Sequence, residues 1–136
     1  MILIFGGAYN GKLEFVKEKY DIDNEEIFFC KDEHLNFDKK VLCGLHVFTR
    51  YCVLNKINPL KILEKNIKFL KDKIIICNEI NSGIVPMEKL DRAWREETGR
   101  VLQFLTKNSS SVYRIFFGLE EKFKVCDNVW MKLNYI

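Results

Sequence analysis

The sequence is short of the residues that interrupt regular structure. It has two prolines and seven glycines in 136 residues, against 48% hydrophobic residues and eleven phenylalanines. That balance excludes collagen-like and disordered classes. It has five cysteines, an odd number, and no CxxC pair, which argues against a zinc knuckle and a disulfide framework. Cys30, Cys43 and Cys77 fall in or at the end of apolar runs and read as reduced, buried thiols. No run approaches the roughly 18 apolar residues needed to cross a bilayer. Met1 to Phe5 is apolar but is stopped by a glycine pair, with no basic segment before it, so no signal peptide is expected. These features point to the cytoplasm and away from a membrane. There is no excess of one charge either: 22 basic and 19 acidic residues leave a net +3, and nothing demands a nucleic-acid partner. Repeats, low-complexity stretches and linkers are absent, which leaves residues 1–136 as one expected domain. A chain of this length buries about two-thirds of its unfolded surface.

What is present alternates between two periods. Ile2-Leu3-Ile4-Phe5 is a continuous apolar run, the pattern of a strand covered on both faces. Gly11 to Tyr20 reads as a helix, Ile27 to Cys30 as a second strand and Val41 to Leu45 as a third. A helical stretch from about Val47 to Leu70 breaks at Asn58-Pro59, since proline starts a helix but cannot continue one. Leu60, Leu63, Ile67 and Leu70 recur at helical spacing in its second part. Ile74-Ile75-Ile76 marks a fourth strand, and Asn78 to Pro86 a loop. Met87 to Lys107 is a long helix with an apolar stripe of Leu90, Trp94, Val101 and Leu105. Val112 to Phe117 is a fifth strand, and Lys122 to Ile136 supplies one or two antiparallel edge strands. Strands alternating with helices predict an α/β protein, three-layer α/β/α and P-loop NTPase-like, with a mostly parallel sheet.

Gly6-Gly7-Ala8-Tyr9-Asn10-Gly11-Lys12-Leu13 lies between the first strand and the first helix and fits Gly-x-x-x-x-Gly-Lys, the spacing of a phosphate-binding loop. Glycines let successive backbone N–H groups curl round an anion, and the helix amino terminus adds positive potential. Lys12 is placed to neutralise the β- and γ-phosphates of GTP or ATP. The eighth position usually carries a Ser or Thr hydroxyl for Mg²⁺; here it is Leu13, which has no oxygen. The competing reading is a glycine-rich turn that binds nothing. A metal-assisted site also needs a carboxylate at a neighbouring strand end. The third strand offers Gly44 there, and the fourth ends in Asn78-Glu79. Glu79 is either that acid or a loop carboxylate capping a backbone N–H. No metal-ligand cluster is read from the sequence.

The stretch from Cys77 to Gln103 carries a longer signature. Asn78, Glu79, Gly83, Ile84, Val85, Pro86, Arg92, Arg95, Gly99, Arg100, Val101 and Gln103 match the Asn-Glu-x-x-x-Gly-Ile-Val-Pro loop and following helix of a known family. Trp94 and Glu96 are close substitutes in that helix. With the Gly-Gly-Ala-x-x-Gly-Lys loop, this stretch resembles the adenosylcobinamide kinase / adenosylcobinamide-phosphate guanylyltransferase family. The resemblance implies phosphorylation of adenosylcobinamide by a nucleoside triphosphate. It also implies transfer of GMP from GTP through a guanylylated histidine, late in cobalamin synthesis, by a protein that forms trimers. The implied ligands are nucleotide and adenosylcobinamide or its phosphate.

Within that pattern the connection between the second and third strands is short, Lys31 to Lys40, where the family carries its histidine. His34 is the positional candidate for it and His46, after the third strand, the second. Each has a purely structural alternative. Arg92 and Arg95 share a helix face with Gly99, and Arg100 lies off that line. They suit phosphate recognition or a subunit contact; otherwise they form a solvated face paired with Glu96 or Glu97. Three functions remain: a compact transferase of corrinoid nucleotide-loop assembly, a non-catalytic nucleotide- or corrinoid-binding relative acting as sensor or partner subunit, and a purely structural interaction module whose apolar tail from Val125 to Ile136 pairs with another chain as an edge strand.

Overall fold

The structure, a computed structural model, describes residues 1–80 and 89–125. Gly83 and Pro86 of the loop motif, Cys126, and the tail with Trp130 and Tyr135 lie outside the described residues.

Continuous apolar runs form the middle of a sheet because both faces of such a strand must be covered. β1 (Ile2–Gly6) and β4 (Ile74–Asn78) hold the two central places, and Leu3, Ile4, Ile75 and Cys77 have no exposed surface. Among the described residues, β2 (Ile27–Phe29), β3 (Val41–Cys43), β5 (Ser111–Phe116) and β6 (Leu119–Val125) complete six strands in the order β2-β3-β4-β1-β5-β6. All neighbours are parallel except β5 and β6, which form an antiparallel hairpin with a register shift between Val112 and Tyr113.

α1 (Lys12–Tyr20) covers one face, where Ile4, Val16, Ile74, Ile76 and Ile115 make an apolar cluster. α2 (Leu45–Leu54), α3 (Pro59–Lys65), α4 (Ile67–Leu70) and α5 (Lys89–Asn108) follow in the chain. Phe48, Leu63, Leu70, Val101 and Leu105 from these helices pack on the other face with Leu3, Leu42 and Ile75. The result is the three-layer α/β/α, P-loop NTPase-like architecture that the alternation predicts. None of the described helices is long and apolar enough to cross a membrane.

The differences from expectation have local causes. The third strand stops at Cys43, two residues early, because Gly44 takes a left-handed conformation (φ 84°) and caps α2, which draws Leu45 into the helix. The Asn58-Pro59 break occurs as read: the Asn58 side chain accepts from the backbone N–H groups of Leu60 and Lys61 at 3.0 and 3.3 Å. A second break at Asn66 was not expected; its side-chain amide turns back to donate to the Ile62 carbonyl at 2.8 Å. Leu90 is exposed, and buried Thr98 takes its place in the stripe of α5. The edge strand begins at Leu119, three residues before the expected Lys122. Cys30, Cys52 and Cys77 are buried free thiols, and Cys43 is half-buried and free. Burial pushes the Cys30 and Cys77 thiols up to about 12, so both stay protonated.

Candidate functional site

In a parallel sheet, ligands collect outside the carboxyl ends of the strands. Here that end holds the Gly6–Leu13 loop. Gly6 packs so closely on β5 that an added Cβ would stand 2.4 Å from the Ile115 carbonyl oxygen. Its own carbonyl accepts the Glu79 N–H at 2.8 Å, which ties the ends of β1 and β4 together. Tyr9 (φ 61°) and Gly11 (φ 85°) are both left-handed, which turns the backbone back towards α1. Lys12, the first residue of α1, is buried and curls under the loop, where its Nζ donates to the Gly7 carbonyl at 2.6 Å. Burial lowers its pKa, an effect partly opposed by nearby Cys77, Cys43, Glu79 and Glu14. The loop is braced from outside by the turn between β5 and β6, whose Gly118 N–H donates to the Asn10 carbonyl at 2.9 Å.

Beside this loop opens a cleft of about 630 Å³, within the size range of small-molecule sites. Gly7, Ala8 and Asn10 form one wall and Glu79 and Ile80, beyond β4, another. α5 contributes Arg95, Thr98 and Gly99, and β5 contributes Arg114 and Phe116. Arg114 and Glu79 face each other with two contacts of 3.2 Å, Nη2 to Oε2 and Nε to Oε1.

The helix motif divides between cleft and solvent. Arg95 and Gly99 line the cleft, whereas Arg92, Arg100 and Gln103 are exposed and do not line it. Arg100 pairs with Glu97, the solvated-face alternative of the sequence reading. The α5 register is set by polar contacts with α2. Trp94 Nε1 donates to the His46 carbonyl at 2.9 Å, and the buried hydroxyls of Thr49 and Thr98 meet at 2.7 Å. The Arg50 guanidinium lies over the Trp94 ring at 4.8 Å.

The two histidines sit in different surroundings. His46, in the first turn of α2, accepts the Asn78 N–H on Nδ1 at 3.1 Å. Burial, helped by the charge of Lys12, lowers its pKa to about 4. A neutral imidazole that accepts on Nδ1 carries its proton on Nε2. The ring nitrogen lone pair is therefore already engaged by the backbone. His34 is exposed in the β2–β3 connection, with Nδ1 3.3 Å from Asp32 and 3.8 Å from Glu33. β2 is three strand spacings, about 14 Å, from β1. His34 lines a separate depression with Phe28, Leu35 and Phe37. Asp32, Glu33 and His34 bring their ligand atoms within 4.8 Å of one another, on a turn closed by the His34 N–H donating to Asp32 at 2.8 Å.

The positions that hold Mg²⁺ in phosphate-loop proteins do not fit that ion here. Leu13 packs into the apolar cluster beneath α1. Gly44 lies beyond the end of β3 as a helix cap. Glu79, the one carboxylate lining the cleft among the described residues, is taken by Arg114. Arg114 itself was not anticipated: an arginine inside an apolar strand run carries no mark of which strand end or neighbour it serves.

The parallel order, the strand–loop–helix turn and the cleft at the strand ends define a P-loop NTPase-like α/β protein. The model of the family described as cobinamide kinase / cobinamide phosphate guanyltransferase matches residues 54–123, just over half of the sequence, and the chain belongs to that family. The matched segment begins in α2 and ends in β6, so the glycine-rich loop precedes it. No curated protein matches the chain.

Proposed function

We propose that the protein is a nucleotide-binding member of its family that serves cobalamin biosynthesis by holding the phosphates of GTP or ATP on the Gly6–Leu13 loop. The observation that carries this reading is the placement of Lys12. A buried ammonium held 2.6 Å from the Gly7 carbonyl is poised to swing from a loop oxygen to a phosphate oxygen. Arg95 and Arg114 in the adjoining cleft add to the anionic preference. The backbone N–H groups of residues 7–11 and the start of α1 supply the rest.

The same geometry favours binding over histidine-linked GMP transfer. Attack on an α-phosphorus needs a free ring lone pair, and His46 has given its own to the Asn78 N–H. His34 stands outside the cleft. The protein therefore acts in this reading as the nucleotide- or corrinoid-binding relative, sensor or partner subunit, rather than as the full bifunctional transferase. The exposed apolar residues of the β5–β6 hairpin, Phe117, Leu119 and Phe123, favour association into a homo-oligomer.

Titration with fluorescent GTP and ATP tests the proposal. Saturable binding is expected in the wild type and a loss of at least about tenfold in Lys12→Met, equivalent to about 1.4 kcal/mol. Absence of binding up to millimolar nucleotide would sink it. Incubation with adenosylcobinamide and GTP is expected to yield no acid-labile GMP on the protein; a label lost in His46→Asn would restore the transferase reading.

A further inference from the structure

Every P-loop protein has to balance the charge of a polyphosphate, and a divalent ion held by a hydroxyl and a strand-end carboxylate usually does so. This chain has lost both oxygens. Leu13 is turned into the apolar cluster under α1, and Gly44 has no side chain to offer and sits in a left-handed cap (φ 84°). The cleft instead presents guanidinium groups, one of them at the family-motif position Arg95. Arg114 reaches it from β5 and Arg95 from α5, with Lys12 beneath the loop. The only opposing carboxylate among the described lining residues is Glu79, so the lining groups and Lys12 sum to +2; Glu121, outside the lining, lies 3.9 Å from Arg114 Nη1.

Glu79 decides between the two ways of holding an anion. Were it a metal ligand, it would need free oxygens. Instead both of its oxygens lie 3.2 Å from Arg114 nitrogens: Nη2 donates to Oε2, while Nε faces Oε1 as a charge contact and, buried, has no hydrogen-bond partner, which leaves part of the guanidinium fork open to a phosphate. Arg114 also has its guanidinium carbon 5.9 Å from the ring centroid of Phe116, which lines the same cleft. A phosphate entering the cleft offers the same two-oxygen face as Glu79 with more charge, and it can draw part of the fork away from the carboxylate.

We propose that this cleft binds polyphosphate without a divalent cation, with Arg114 and Arg95 taking the counter-charge role that the ion fills in other P-loop proteins and with Glu79 as an internal competitor for Arg114. This inference rests on the reading of the cleft as a phosphate site. It departs from the family's chemistry at Arg114, a residue outside the motifs that carry the resemblance.

The probe is inorganic tripolyphosphate, followed by titration calorimetry on the full chain in EDTA and again in excess Mg²⁺. The wild type is expected to bind in EDTA at least as tightly as in Mg²⁺, since free ion sequesters the probe. Arg114→Met keeps the stem over Phe116 and is expected to weaken binding by about tenfold or more. Arg114→Lys, which keeps the charge and loses the fork, weakens it less and serves if the Met variant fails to fold. Glu79→Gln removes the competitor and is expected to tighten binding several-fold in EDTA. A metal-ligand Glu79 predicts the reverse, a loss of affinity confined to Mg²⁺. Binding that requires Mg²⁺, an Arg114 variant that binds like wild type, or no binding at all overturns the proposal. Nucleotide that binds only with Mg²⁺ overturns it while leaving the nucleotide function standing. Tripolyphosphate bound in EDTA with nucleotide refused removes the nucleotide function and leaves this inference.

Discussion

The Asn78 backbone N–H donates to His46 Nδ1 at 3.1 Å, which fastens the first turn of α2 to the end of β4. The bond requires a neutral ring, and burial beside Lys12 keeps it neutral down to about pH 4. The unfolded chain has no such restraint, and its histidine takes up a proton near pH 6.5. Below that pH the unfolded state therefore binds more protons than the folded one. This contribution to stability is complete above pH 6.5, is lost progressively as the pH falls towards 4, and changes little further below. Urea unfolding at a series of pH values is expected to show this slope. In His46→Asn, whose short amide retains an oxygen acceptor, the slope attributable to this group should vanish. An unchanged slope would assign the pH dependence to other groups.

Gly6 is a second position where one atom decides the outcome. A methyl group there would meet the Ile115 carbonyl oxygen at 2.4 Å, and backbone within a paired strand cannot yield as a flexible side chain can. Gly6→Ala is expected to cost about 2–4 kcal/mol, as overpacking and backbone strain together do. That corresponds to a fall of roughly 8 °C or more in the melting midpoint of a domain this size. Gly99→Ala is the control: a Cβ there has nothing within 4 Å, and helix propensity favours alanine. It should melt at or slightly above wild type by differential scanning calorimetry.

Between α2 and α5 the hydroxyls of Thr49 and Thr98 form a buried pair at 2.7 Å. Thr49 also donates to the His46 carbonyl at 2.9 Å, so the shared proton of the pair comes from Thr98. Removing the Thr49 hydroxyl takes this acceptor from Thr98, whereas Thr49 keeps the His46 carbonyl when the Thr98 hydroxyl is removed. Thr98→Val is expected to cost about 1–2 kcal/mol, and Thr49→Val more, because it also abandons a contact with Trp94 Nε1 at 3.2 Å. The double variant should cost less than the sum, since no unpaired hydroxyl remains between the helices. Additive costs in a double-mutant cycle by denaturant unfolding would remove the pairing from the account.

The order of elements was readable because the strongest signal, apolar density, is also what places a strand at the centre of a sheet. Ile74-Ile75-Ile76 and Ile2 to Phe5 could only be covered on both sides. The boundaries were less so. Gly44 looks like the end of a strand by composition, yet its left-handed backbone hands Leu45 to a helix, and only the cap geometry distinguishes the two. The loop around Lys12 could be picked out from seven residues because its spacing is local. Arg114 could not, since its role depends on β5 lying beside β1, a pairing made across more than a hundred residues of chain. The motif arginines show the same division. Their spacing gave a common face to Arg92 and Arg95, but only the Trp94 and Thr98 contacts with α2 fix which one is turned inward.

The brace between Gly118 and Asn10 joins the most peripheral part of the sheet to its most central loop. In a parallel sheet the outer strand is ordinarily the element a sequence can vary most freely. Here the β5–β6 hairpin is the outer wall of the loop that surrounds Lys12, so its length and its turn are held to the loop's shape. An insertion at residues 117–118 would change the pocket without touching any residue that lines its phosphate side. The edge of the described sheet is therefore tied in shape to its centre.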